Sequence, residues 1–194
     1  FRFGLMEDSQ SYPKEGLVFS DNISVKWQVA EKSPDAELLS LVNESNQAFL
    51  RAVAAVSVPP GDLAEENAAV FQEISRLDLK INLLLELVSQ LVYAQLDIPE
   101  RTRATISSGG IQWQGEVLPE PGQTVFMQVY IQHGTPKPLC FYGEVVSTLE
   151  EHASGEARVR YVGLSEQTRS WLDKLIFRHH RRQVAFKKSV GADA

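Results

Sequence analysis

The nine residues "LKINLLLEL", Leu79–Leu87, have two readings, and the choice between them decides the fold. Leu79, Ile81, Leu83, Leu85 and Leu87 alternate as they would on one face of a β-strand. The surroundings favour a helix. From about Asp62 to Asp97 there is no Gly or Pro, the stretch is rich in Leu, Glu, Gln and Ala, and no turn residues interrupt at strand-like intervals. With Ile74 at an a position, Asn67, Ile74, Ile81, Val88 and Gln95 fall at a, while Leu63, Val70, Leu77, Leu84, Leu91 and Ile98 fall at d. This 3,4 spacing is unbroken over about five heptads. The predicted helix is roughly 50 Å long at 1.5 Å per residue, more than a small domain needs to cover its own core, and Pro99 ends it.

Such a helix predicts an oligomer. The β-branched a layer of Ile74, Ile81 and Val88 against Val70, Leu77, Leu84 and Leu91 at d is the pattern of parallel coiled coils. Leu85 and Val92 at e and Leu87 at g make the apolar face wider than a two-helix seam covers. The expectation is therefore a parallel tetramer in preference to a dimer, with Asn67 and Gln95 as polar layers that fix register.

On the N-terminal side, "VPPGD" stops an earlier helix, because Pro59 and Pro60 cannot continue its hydrogen-bond ladder. Asp62 with Glu65 then forms a capping-box-like start for the long helix. The earlier helix starts in "SPDAELL", with Ser33 as cap, Pro34 at the first position and Asp35 at the positive end of the dipole, and runs to about Val56. Residues 33–99 thus form a two-helix insertion. Residues 1–16 are polar with Pro and Gly and are expected to be a flexible lead-in. "NISVKWQV" is expected to be a half-buried strand, with Ile23, Val25, Trp27 and Val29 on one face and Ser24, Lys26 and Gln28 on the other.

On the C-terminal side, from Glu100, the texture is β. "TVFMQVYIQ" alternates through Val125, Met127, Val129 and Ile131, and "PLCFYGEVVSTL" and "EARVRYVGL" follow, separated by "HGTPK" and "EEHASG" as turns carrying exposed His133 and His152. A final helix, capped by Ser165, carries the apolar stripe Trp171, Leu172, Leu175 and Ile176. The fold class is α+β. A small antiparallel barrel built from 17–32 and 100–188, with its C-terminal helix, is interrupted by the helical insertion.

The turn "RATISSGGIQW", Arg103–Trp113, and the ending "GLSEQTRSWLDKLIFRHHRR" together resemble the PilZ family, bacterial receptors for cyclic di-GMP. The resemblance implies a cytoplasmic role near motility, pili or virulence control. In that family an Asp or Asn opens the turn, a Ser follows two positions on and a Gly lies three beyond it. Here those positions hold Thr105, Ser107 and Gly110. A threonine hydroxyl lacks the paired hydrogen-bonding groups of a carboxylate or amide. The family's upstream arm carries two arginines, whereas "SYPKEGLVFSDN" offers only Lys14. Cyclic di-GMP binding is accordingly expected to be weak or lost. The alternative is a working receptor in which Arg101 and Arg103, on one strand face at i and i+2, act with the Ser107–Gly110 turn.

The rest of the composition narrows the function. A formal charge of −6 over 194 residues argues against a surface that tracks nucleic acid. The single cysteine, Cys140, lies in the apolar run "PLCFYGEVV" and is expected to be a small core residue. Four scattered histidines give no metal-ligand spacing, no apolar run approaches the roughly 20 residues that span a bilayer, and no nucleophile–base signature is present. The basic run "RHHRRQVAFKK", Arg178–Lys188, is expected to be chiefly a solvated helix end, with Arg178, Arg181 and Arg182 as the candidate patch for an acidic partner. The expectation is a non-enzymatic cytoplasmic scaffold without cofactor, a homo-oligomer with a regulatory protein partner.

Overall fold

A computed structural model describes residues 16–56, 68–93, 95–131 and 137–190. The lead-in through residue 15, the Pro59–Pro60 stop, the Asp62–Glu65 cap, Leu63, Asn67 and the His133 turn lie outside these residues.

Six antiparallel strands close into a barrel in the order β1-β2-β3-β6-β5-β4. They are β1 (Phe19–Val29), β2 (Arg101–Ile106), β3 (Gly110–Gln114), β4 (Thr124–Tyr130), β5 (Leu139–Val145) and β6 (Glu156–Val162). Alternation puts Val125, Met127 and Val129 inside with Ile106, Ile111, Leu139 and Val159. In β1, Ile23, Val25 and Trp27 turn toward the core on the one face their alternation predicts, while Val29, at the end of the strand, is 49% exposed and Ser24, on the other face, is buried. Phe19 to Ser24 pair with β2 and Ser24 to Val29 pair with β4, so β1 joins both and closes the barrel.

Helix α1 (Ala36–Val56) starts two residues later than Pro34 suggests, and its cap is Asp35, not Ser33. Asp35 Oδ1 accepts from the Leu38 N–H at 2.8 Å, because a carboxylate satisfies the orphan donors of the first turn. The inner face of α1 buries Asn43, Asn46, Phe49 and Leu50. It packs on β5 and on α4 (Glu166–Val190), whose Leu172, Leu175 and Ile176 join the same core. Ser165 caps α4 as expected, its Oγ accepting from the Thr168 N–H at 3.1 Å.

Helix α2 (Ala68–Tyr93) settles the ambiguous stretch in favour of helix. It stops short of Asp97: Gln95 and Leu96 turn back with their N–H groups on the Val92 carbonyl, at 3.0 and 3.1 Å, so Gln95 and Ile98 are not helical layers. The "EEHASG" segment, expected to be a turn, holds most of the short helix α3 (Leu149–Ala153). Its signal was the capping box Thr148–Glu151, in which each side chain meets the other residue's N–H. His152 is therefore helical and half-buried instead of sitting in an exposed turn.

Cys140 is not in the barrel interior. It is half-buried and on the opposite face of β5 from Leu139 and Phe141, which are buried inside. Asn46 of α1 brackets its backbone, Nδ2 donating to the Cys140 carbonyl at 2.6 Å and Oδ1 accepting from its N–H at 2.9 Å. The β5–β6 register ends at Tyr142 opposite Val162, and the chain turns away at Gly163 with φ +68°. The Asn46 amide thus does for Cys140 what a further β6 peptide would have done.

Candidate functional site

The turn between β2 and β3 spends its polar groups on itself. The Ser107 N–H donates to the Gly110 carbonyl at 2.9 Å. Its Oγ lies 3.3 Å from the Gly109 N–H and 3.2 Å from both the Gly110 N–H and carbonyl. The two outward carbonyls are also taken. Gly109 O accepts from the Tyr161 N–H at 3.1 Å, and Ser108 O accepts from the Arg169 guanidinium of α4. Gly110 is required sterically, since a Cβ there would lie 2.2 Å from the Val159 carbonyl oxygen. Among these four residues the sequence-predicted ligand groups, Ser107 and Gly110, are part of a closed knot.

Next to the turn, Arg101, Arg103 and Thr105 alternate with inward Ala104 and Ile106 on β2. The two arginines are exposed and share one face, as their spacing predicts. Across the ladder stand Ser24, Asn22 and Ser20, and Thr105 Oγ1 meets Ser20 Oγ at 3.0 Å. The outer face of β1 and β2 therefore brings two guanidiniums alongside short hydroxyls and an amide, with the Thr105 hydroxyl already engaged.

The candidate partner patch divides. Arg178 is structural: it donates to the Ala54 carbonyl at 3.2 Å, closing the carbonyl end of α1, and to Lys174 O at 3.3 Å. Arg181 lies over the Phe177 ring, 5.9 Å from its centroid, and is exposed like Arg182. Two other groups show what burial does to ionisation. Tyr161, in the core beside Phe141, has its hydroxyl pushed far above its ordinary range by burial, partly countered by Arg169. Burial under α1 likewise pushes the Cys140 thiol up, with Lys137 opposing, which suits an unreactive thiol.

Along α2, the seam residues Ile74, Leu77, Ile81, Leu84, Val88 and Leu91 are all solvent-exposed in the single chain, from 48% at Leu77 to 69% at Leu91. Val70 lies in the first turn of α2. Leu79, Leu83, Leu85 and Leu87 are at least half exposed too. The helix does not cover its own barrel.

A model of the atypical PilZ domain, cyclic di-GMP receptor, matches residues 50–189. The chain belongs to the atypical PilZ domain family. A tetrameric PilZ domain from Xanthomonas campestris, described as a pathogenic protein self-assembled via an unusual helical bundle, has the same fold at 18% identity with a TM-score of 0.67. The match covers 88% of this chain and 92% of that one. No curated protein matches.

The match spans α2 and the PilZ barrel from β2 onward but not β1, the strand whose place in the barrel is fixed by pairing with β2 and β4. Three residues that organise this PilZ site went unrecognised in the sequence: Arg169, Asn43 and Asn46. Arg169 carried a signal, because a cation in the first turn of a helix opposes the dipole and needs another partner, here Ser108 O. The two asparagines stand three apart on the face that buries Phe49 and Leu50, and amides in such a stripe require backbone partners. Asn43 finds them in Leu39 O, Gly163 O and the Ser165 N–H, and so ties α1 to the start of α4. Among the described residues, no three His, Cys, Asp or Glu are grouped to hold a metal ion, and no helix is long and apolar enough to cross a membrane.

Proposed function

We propose that this chain is a non-enzymatic regulatory scaffold of the bacterial cytoplasm, which assembles as a parallel tetramer through α2 and presents its PilZ barrels to protein partners, with cyclic di-GMP binding weak or lost. The observation that carries the reading is the apolar face of α2, left in water along its length in the single chain. Full burial of each such side chain is worth about 1.5 to 3 kcal/mol, and only further copies of the helix match its spacing. The tetrameric assembly described for the Xanthomonas campestris protein supports it. The expected loss of ligand grip rests on Thr105 in the place of a carboxylate or amide, and on a turn whose Ser107 is bonded inwardly.

A second reading is a cyclic di-GMP receptor using Arg101, Arg103 and the Ser107–Gly110 turn. It is favoured by the receptor description of the family and by the two exposed guanidiniums on one face of β2. Calorimetric titration separates the two. The scaffold reading expects no heat of binding at micromolar cyclic di-GMP. Low-micromolar binding abolished by Arg101→Ala with Arg103→Ala establishes the receptor.

A further inference from the structure

The second half of α4 carries a face that the fold does not use. From Lys174 to Lys188 the sequence holds six Lys and Arg and no Asp or Glu, while the chain as a whole has a net charge of −6, so the remainder carries −12. On the outer side of this stretch, Phe177 is 49% and Val184 39% exposed, two turns apart at i and i+7. Arg181 stands between them over the Phe177 ring, Lys174 lies one turn before, over Trp171 at 4.2 Å, and Arg182 is exposed beside them. The platform is held rigidly. Arg178 grips the Ala54 carbonyl, His179 stacks on Phe19 with centroids 4.0 Å apart, and Gln183 donates to the Ser20 carbonyl at 3.2 Å.

We propose that this face docks an acidic amphipathic helix of a partner protein, whose apolar residues at i and i+7 cover Phe177 and Val184 while its carboxylates meet Arg181, Arg182 and Lys174. This rests on the scaffold reading and names the partner's chemistry. An apolar pair at i, i+7 with flanking cations is what a helix laid along another helix recognises, and the rigid platform lowers the ordering cost of docking. Other occupants fit less well. An interfacial membrane helix needs a broad apolar face, and the broad face of α4, through Leu172, Leu175 and Ile176, is already in the core. Nucleic acid needs a longer row of cations than Lys174, Arg181 and Arg182, which are what this face presents with Arg178 bonded to α1. A second copy laid parallel on the same face sets Arg181 and Arg182 against their own kind.

The test is fluorescence anisotropy on the full chain, with a labelled helical peptide of about 20 residues, built from Glu and Ala with Leu at i and i+7. Binding should weaken at least about tenfold in Arg181→Glu with Arg182→Glu and about fivefold in Phe177→Ser, and should fall as salt rises. Circular dichroism of these exposed-site variants checks that the fold is intact. Equal binding of the same peptide with Ser for both Leu overturns the proposal, as does no binding at hundreds of micromolar. So does tighter Phe177-dependent binding of oligo(dT) or of phosphatidylcholine vesicles with about one third phosphatidylglycerol. A drop in the chain's own mass in Arg181→Glu with Arg182→Glu assigns the face to a second copy instead. Repeating the titration on Ile81→Asp with Leu84→Asp distinguishes failure of this surface from failure of the tetramer, since the α4 face is present in one chain.

Discussion

Helices α1 and α2 follow one another in the chain, are both rich in apolar residues, and meet opposite fates. α1 turns Phe49 and Leu50 inward, and the polar residues on the same face, Asn43 and Asn46, each find backbone partners in the barrel or at the start of α4. α2 has the larger apolar face but leaves it exposed from Ile74 to Leu91. Apolar content therefore does not decide where a helix packs. What α1 has and α2 lacks is complementarity with this particular barrel: amides at the positions where β5 and Gly163 have unpaired peptide groups. The α2 surface repeats every three and four residues, and a surface of that kind is complementary to itself.

The contrast is broken most severely at the α2 seam. Ile81→Asp with Leu84→Asp places charges in two adjacent layers, and light scattering should show the mass falling from about four chains to one. Thermal unfolding of the barrel should shift by no more than about 0.5 kcal/mol, because these side chains touch none of its core. A monomeric parent protein at tens of micromolar would refute the coiled-coil assembly.

The reverse pattern is expected at α1. Asn46→Leu leaves the Cys140 N–H and carbonyl without partners, a loss of about 2 to 4 kcal/mol, with the oligomer mass unchanged. The same variant gives a pH readout. Burial raises the Cys140 pKa in the folded state, so its thiolate is scarce near pH 8, and loosening α1 should return the pKa toward about 8.5 and speed alkylation at that pH. Unaltered alkylation kinetics would mean that α1 does not depend on this amide. The smallest effect belongs to the helix start: Asp35→Ala removes the acceptor for the Leu38 N–H and should cost about 1 kcal/mol in a denaturant titration.

The parts of the fold that were legible in the sequence are those with a repeat. The two-residue period of Val125, Met127 and Val129 named a strand and its inward face, and the Gly- and Pro-free stretch around Ile81 named a helix. The turn at Ser107–Gly110 was also placed correctly as a turn. What could not be read depends on contacts far apart in the chain. The place of β1 between β2 and β4 follows from pairing with two strands that begin at Arg101 and Thr124. Cys140 falls outside the barrel interior because the period of β5 puts Leu139 and Phe141 inside, a phase the apolar run alone does not reveal. Arg178 reads as one cation of a basic run, yet its partner is a carbonyl on α1, 124 residues away in sequence.

The Asn46 amide has a consequence for how this protein avoids unwanted association. A strand edge with a free N–H and carbonyl is a template on which a strand from another molecule can add itself, and β5 from Leu139 to Phe141 is such an edge where β6 has turned away. By filling that place with a side chain, α1 seals the corner of the barrel against β-type recruitment. Self-association through the sheet is closed off there, while the helix that follows α1 is left open to it.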